Sequence, residues 1–186
     1  MSAGTLSGLR TEHAGTDVCS TPRVTTPLHQ LAPVGLDFLT SAPVRFDYTA
    51  PLPAPPDTVF AAVSADPSTW TWFPGLTNAR YESAAPHGVG TIRSVVMDGV
   101  AYRETLLAFD APTRWAYRVD ESSDATFRAL AEDWVIAPEG DGSTLTWTFA
   151  VEPQPELLEV IQGAREVIGG VYFRAMDSFA GHLAAR

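Results

Sequence analysis

The chain contains no lysine; all twelve of its basic residues are arginine. That absence excludes Schiff-base chemistry, a phosphate-loop lysine and a lysine general base. Cysteine is nearly missing as well. Cys19 stands alone in a Ser/Thr-rich stretch, so there is neither a disulfide framework nor a metal-spaced cysteine pair, and a reducing compartment is expected. The four histidines, His13, His29, His87 and His182, are scattered without ligand spacing, so no metal site is expected. The first forty residues hold no apolar run long enough for a signal-peptide core or a membrane span, and Thr16-Asp17-Val18 before Cys19 lacks the leucine of a lipoprotein box. A cytoplasmic location is expected. Positive charge is scarce: 12 basic residues stand against 22 acidic ones, for a formal charge of −10 and a pI near 4.7. Nucleic acid and anionic membrane surfaces are therefore poor partners, because phosphate binding rests on clustered cations.

Cofactor motifs are missing too. Gly88-Val89-Gly90 begins like a dinucleotide fingerprint, but Arg93 replaces the third glycine and a strand follows where a helix is needed. Gly140-Asp141-Gly142 reads as a hairpin turn and not as a phosphate or calcium loop. No cofactor is expected.

What the sequence does contain is apolar and aromatic mass: 45% hydrophobic and 10% aromatic over 186 residues, enough for one domain with a sizeable core. Residues 1–40 are rich in Gly, Ser, Thr and Pro, the composition of a tail that stays disordered or docks loosely through Leu28, Leu31, Val34, Leu36, Phe38 and Leu39. The domain proper is expected over 43–186. Val44, Phe46 and Tyr48 alternate with polar neighbours as in a half-buried strand. Pro55, Pro56 and Asp57 open a short helix whose apolar face is Val59, Phe60 and Val63. Asp66 caps a second short helix that carries Trp70, Trp72 and Phe73 and ends at Pro74-Gly75. Strands are then predicted over 78–83, 90–97, 100–110, 114–120, 125–137 and 143–151, with Asp98-Gly99 as a hairpin turn. Beyond Pro153 and Pro155, Leu157, Ile161, Ala164, Ile168, Val171, Ala175, Phe179 and Leu183 recur at helical spacing, which predicts one helix of about eight turns with a kink at Gly169-Gly170.

This order, a strand, two short helices, six meandering strands and a long amphipathic helix, closes a core only if the sheet curls around the terminal helix. The segments PPDTVFAAVSAD, WFPGL, HGVGTIR, YRETLLAFDAPTRWAYRV and WVIAPEGDGSTLTWTF occur in sequence and resemble the START and birch-allergen superfamily called SRPBCC, in its polyketide cyclase/dehydrase and lipid-transport branch. The resemblance covers residues 43–186. It implies an α+β helix-grip fold: about seven curved antiparallel strands wrapped around a long C-terminal helix, with an internal cavity for an apolar or aromatic small molecule. It also implies that the Trp72 to Leu76 loop and the long helix flank the cavity mouth. The same scaffold serves cyclases, carriers and receptors, so the fold alone does not settle function.

Strand parity sorts the candidate residues. Trp115 and Tyr117 share the inward side of one strand, Glu132 and Trp134 that of the next, and Trp147 that of the last; on the hairpin strand Tyr102, Glu104 and Leu106 share a parity. Glu104 matches the acidic position of an E-x-V-like stretch in the resembled superfamily, and Arg93 on the preceding strand is its counter-charge. A carboxylate on a dry face is ion-paired, hydrogen-bonded or protonated. Arg93 and Glu104, with Tyr102 or Tyr117, either polarise a carbonyl for aldol-type ring closure, anchor a ligand, or form a buried pair that sets strand register. Trp72 and Phe73 are either a hydrophobic gate or a plug, and Ile168, Tyr172 and Met176 on the helix either face the ligand or pack in the core. The expected function is binding of a hydrophobic or aromatic, lipid- or polyketide-like molecule; the alternative is a cyclase or dehydratase acting in the same cavity. Oligomeric state leaves no signal in the sequence.

Overall fold

The computed structural model describes residues 27–185. Cys19, His13 and the expected disorder of the first residues lie outside the described part. The strict alternation in LTWTFAV makes the last strand, β8 (Gly142–Pro153), the centre of the architecture: Leu145, Trp147, Phe149 and Val151 are all buried. Its antiparallel neighbours are β2 (Val44–Leu52) and β7 (Phe127–Glu139). The sheet continues through β6 (Arg114–Ser122), β5 (Val100–Asp110), β4 (Ile92–Met97) and β3 (Leu76–Tyr81), in the order β2-β8-β7-β6-β5-β4-β3. Each of the last five strands pairs with its predecessor, as short connections favour.

Local chemistry sets the turns and helices. Asp98 and Gly99 both take positive φ, 49° and 82°, the conformation that a two-residue hairpin matching the strand twist requires. Helix α2 (Pro56–Val63) starts on its prolines and buries Val59, Phe60 and Val63 at one end of the sheet. The second short helix is a single 3₁₀ turn, Pro67–Thr69, and Asp66 caps it by accepting from the Ser68 N–H at 2.9 Å.

Residues 27–42 lie against the sheet. A two-residue strand, β1 (His29–Gln30), pairs with β6 at Glu121 and Ser122. It sits where β6 and β7 part company after Arg118 and Ala131, with backbone bonds to Asp120 and Arg128 on either side. Helix α1 (Phe38–Ser41) then crosses the outer face, where Leu39 is buried on Ala108, Ala116, Ala131 and Ala150. Small side chains at those outward positions allow the close approach. Leu31 is also buried, while Leu28 and Leu36 remain exposed.

The terminal helix differs from its prediction. The expected single helix is broken into a 3₁₀ turn (Pro155–Leu157), α3 (Leu158–Gly163) and α4 (Arg165–Ala184). The break falls at Ala164 and not at Gly169-Gly170. Tyr48 explains both facts. Its hydroxyl donates to the Arg165 carbonyl at 2.9 Å, while the Arg165 guanidinium donates to the Asp47 carbonyl at 3.0 Å, tying the start of α4 to β2. The Tyr48 ring then lies so close to Gly169 that a Cβ there would be 2.8 Å from it. The glycine provides a close approach rather than a bend. The apolar face keeps its expected phase at Ala175, Phe179 and Leu183, which are buried together with Tyr172 and Met176, but Val171, expected inside, is 44% exposed.

Candidate ligand-binding site

Direct cross-strand partners bring the polar candidates together. Arg93 on β4 is opposite Glu104 on β5, and Tyr117 on β6 is opposite Glu132 on β7. Their side chains therefore meet on the concave face, where all four are buried. Arg93 donates from Nε to Glu104 Oε2, its one hydrogen bond among the described residues, and Nη1 has no partner there. Three rings surround the guanidinium: its Cζ lies 4.3 Å from the centroid of Trp115, 4.6 Å from Tyr117 and 5.0 Å from Trp70, within cation–π range.

Glu132 is the second polar centre. Its carboxylate accepts from Tyr117 Oη, from Trp147 Nε1 at 2.7 Å and from Tyr172 Oη at 2.5 Å. Desolvation pushes its proton affinity up, against these three donors and the charge of Arg93. Glu104 is raised for the same first reason and held back by Arg93. Burial also raises the three tyrosines: Tyr102 is pushed up to about 12, and Tyr117 and Tyr172 rise well above the usual phenol value, with Glu132 adding to the effect of desolvation. All three stay neutral near pH 7, and Tyr117 and Tyr172 donate to Glu132.

Above this floor lies a hollow of about 140 Å³. Its apolar lining is Trp70, Phe73, Leu76, Val95, Met97, Val119, Phe127, Leu130 and Phe149, and Tyr102 and Tyr172 also border the space. A smaller hollow of about 60 Å³ adjoins it, sharing Phe73, Met97, Tyr117, Glu132 and Tyr172 and adding Trp147, Val171 and Ala175. Val171 is the exposed residue of this lining. Among the described residues no cluster of His, Cys, Asp or Glu could hold a metal ion, and no helix is long and apolar enough to cross a membrane.

Residues 43–184 match the model of a family described as polyketide cyclase / dehydrase and lipid transport. The chain belongs to this family. Uncharacterized proteins of Mycobacterium tuberculosis and Mycobacterium bovis are 37% identical to it over 119 residues, covering 63% of this chain and 71% of theirs. Among solved structures, a START superfamily protein from Mycobacterium smegmatis aligns with a TM-score of 0.63 at 13% identity, over 76% of this chain and 97% of its own. Norcoclaurine synthase from Thalictrum flavum, solved with dopamine and hydroxybenzaldehyde, aligns with a TM-score of 0.59 at 16% identity, over 84% and 95%. At such identities these two structures establish the fold alone. The chain has the helix-grip architecture, a hydrophobic ligand-binding fold.

Geometry separates the predicted site residues that border a hollow from those that do not. Arg93, Glu104, Tyr102, Phe73, Tyr117, Glu132 and Tyr172 border the main hollow, and Trp147 borders the smaller one. Trp72, Leu106, Trp115, Trp134, Ile168 and Met176 border neither. Trp72 stacks on Phe179 with centroids 4.1 Å apart, so it plugs the sheet's end and Phe73 alone of that pair faces the space. Trp115 and Trp134 pack edge-on, 5.6 Å apart, behind the polar floor. Ile168 and Met176 pack into the core, and Leu106 is fully buried there. Trp70, Leu76, Val95, Met97, Val119, Phe127, Leu130 and Phe149 also border the main hollow without having been predicted as site residues, although strand parity places Val119 and Leu130 inward beside Tyr117 and Trp134. Val95 and Met97 share the parity of Arg93, and Phe149 that of Trp147, so the alternation already marked them. Phe127 sits beside a register shift, where alternation carries no information.

Proposed function

We propose that this protein binds a hydrophobic or aromatic small molecule in the hollow between the sheet and α4. One observation carries the reading: an apolar, aromatic-walled space surrounds a few convergent, buried polar groups, the usual composition of a small-molecule site. Family membership supports it, and the norcoclaurine synthase structure illustrates that this fold accommodates single-ring molecules. Native mass spectrometry of the purified protein and a thermal-shift series with apolar ring compounds test it. A bound small molecule or a dose-dependent rise in melting temperature is expected; an empty protein that no such compound stabilises would overturn it.

A second reading, a cyclase or dehydratase, draws on Glu132. A buried carboxyl of raised proton affinity beside a guanidinium is suited to taking or giving a proton at a carbon next to a polarised carbonyl. Arg93 and Glu104, the catalytic pair expected from the sequence together with Tyr102, are bound to each other, which leaves Glu132 the better-placed base and Tyr102 a neutral donor at the border. Glu132→Gln would then abolish turnover of a polyketide-like substrate while ligand binding persists; undiminished turnover would refute it.

A further inference from the structure

We infer that the hollow selects a small, uncharged ring compound bearing an oxygen acceptor, and that it rejects carboxylates. The inference rests on the ligand-binding reading above and narrows it by three independent features.

The first is hydrogen-bonding sense. On the residues bordering the main hollow, the two buried polar atoms without a partner among the described residues are Arg93 Nη1 and Trp70 Nε1. Both are donors. Buried donors left unpaired are costly, so the complement that the site lacks is an acceptor, a carbonyl, ether or hydroxyl oxygen, which reaches these covered atoms once a bordering side chain turns.

Charge is the second. Among the described residues, Arg93 is the one basic side chain on the lining, and Glu104 and Glu132 are its two acids. Glu104 already answers the guanidinium. With both acids ionised the floor carries one excess negative charge; with one protonated it is neutral. In neither state is there a positive charge to balance a ligand carboxylate, and burying an uncompensated charge is strongly unfavourable. A neutral oxygen meets the donors without that penalty.

Size is the third feature. An apolar cavity of about 150 Å³ holds a benzene ring, and the main hollow is of that order, with about 60 Å³ more adjoining it. A single ring with a short substituent fits; a sterol or a four-ring polyketide does not unless the walls move.

Acetophenone, benzoate, benzylamine and toluene share one ring and differ in charge and acceptor, so calorimetric titration of the full chain with each at pH 7 separates the cases. Acetophenone is expected to bind at least tenfold more tightly than toluene, and benzoate about a hundredfold more weakly than acetophenone or not at all. The double variant Glu104→Gln/Glu132→Gln leaves one positive charge on the floor, and there benzoate is expected to overtake acetophenone. That gain of binding cannot come from misfolding. Benzoate or benzylamine binding the natural protein as tightly as acetophenone would overturn the inference, as would a double variant that keeps the natural circular-dichroism spectrum and still excludes benzoate. If toluene binds and acetophenone gains nothing over it, the inference falls and the ligand-binding reading stands. If no ring compound binds, both fall.

Discussion

Arg93 and Glu104 are directly opposed across the β4–β5 ladder, and both side chains are buried with three aromatic rings around the guanidinium. Such a pair gains from proximity what it loses in hydration, so its net worth lies far below the cost of breaking it. Arg93→Ala leaves Glu104 uncompensated in a low-dielectric site and is expected to destabilise the fold by about 3–5 kcal/mol. Replacing both residues, Arg93→Met with Glu104→Leu, should cost much less than the single change. Urea unfolding of the three proteins checks this ordering; a single variant as stable as the natural chain would contradict it.

The buried acids make stability depend on pH in the direction opposite to most carboxylates. Glu132 and Glu104 hold their protons more tightly when folded than at the ordinary glutamate value of 4.5. Their contribution is fully present below that value and is lost as pH rises through the higher folded value. Glu82, lowered mainly by its bond from Ser94, works the other way and loses its contribution as pH falls. Comparing variants isolates the buried term: the melting temperature of the natural protein should fall more steeply from about pH 5 to about pH 8 than that of Glu132→Gln. Parallel curves would mean that Glu132 does not titrate differently in the folded state.

Regular alternation made much of this site readable in advance. One inward side chain every second residue puts Tyr117 and Glu132 on the concave face wherever the register falls, because their strands are long and mostly unbulged. The polar floor was legible for that reason. What was not legible depends on events outside the strands. Nothing local to the 164–171 stretch announces that Tyr48, more than a hundred residues earlier, will bond to Arg165 and tie down the start of α4. Tyr172 and Met176 are buried as expected, while Val171, expected inside, is exposed. Likewise Trp70, Trp72 and Phe73 belong to a tight 3₁₀ turn and its exit, where no period assigns directions, so which ring meets the hollow is decided by packing against Phe179.

Gly169 gives a test in which two local rules disagree. Alanine is favoured over glycine inside a helix by about 1 kcal/mol, yet a Cβ at this position would press on the Tyr48 ring. Tyr48 is itself buried and anchored by its hydroxyl bond, so it has little freedom to retreat. Gly169→Ala is therefore expected to destabilise by about 1–3 kcal/mol, while Gly170→Ala, whose nearest neighbour is the flexible end of Arg174, should be neutral or mildly stabilising. Chemical unfolding of both variants measures the contrast; equal effects would show that Tyr48 does not constrain the helix.

The smaller hollow is bordered by Phe73, Met97 and Val171, and Val171, on α4, is the exposed residue of its lining, so the expected route from solvent to the polar floor passes beside it. A larger side chain at this exposed position is expected to lie across that route. Val171→Trp should therefore slow both association and dissociation of acetophenone, each by about tenfold, with a much smaller change in Kd, because the barrier rises while the bound state is untouched. Stopped-flow quenching of tryptophan fluorescence resolves the two rates. Unchanged rates would place the route elsewhere, and a weakened Kd with an unchanged association rate would mean that Val171 contacts the ligand directly.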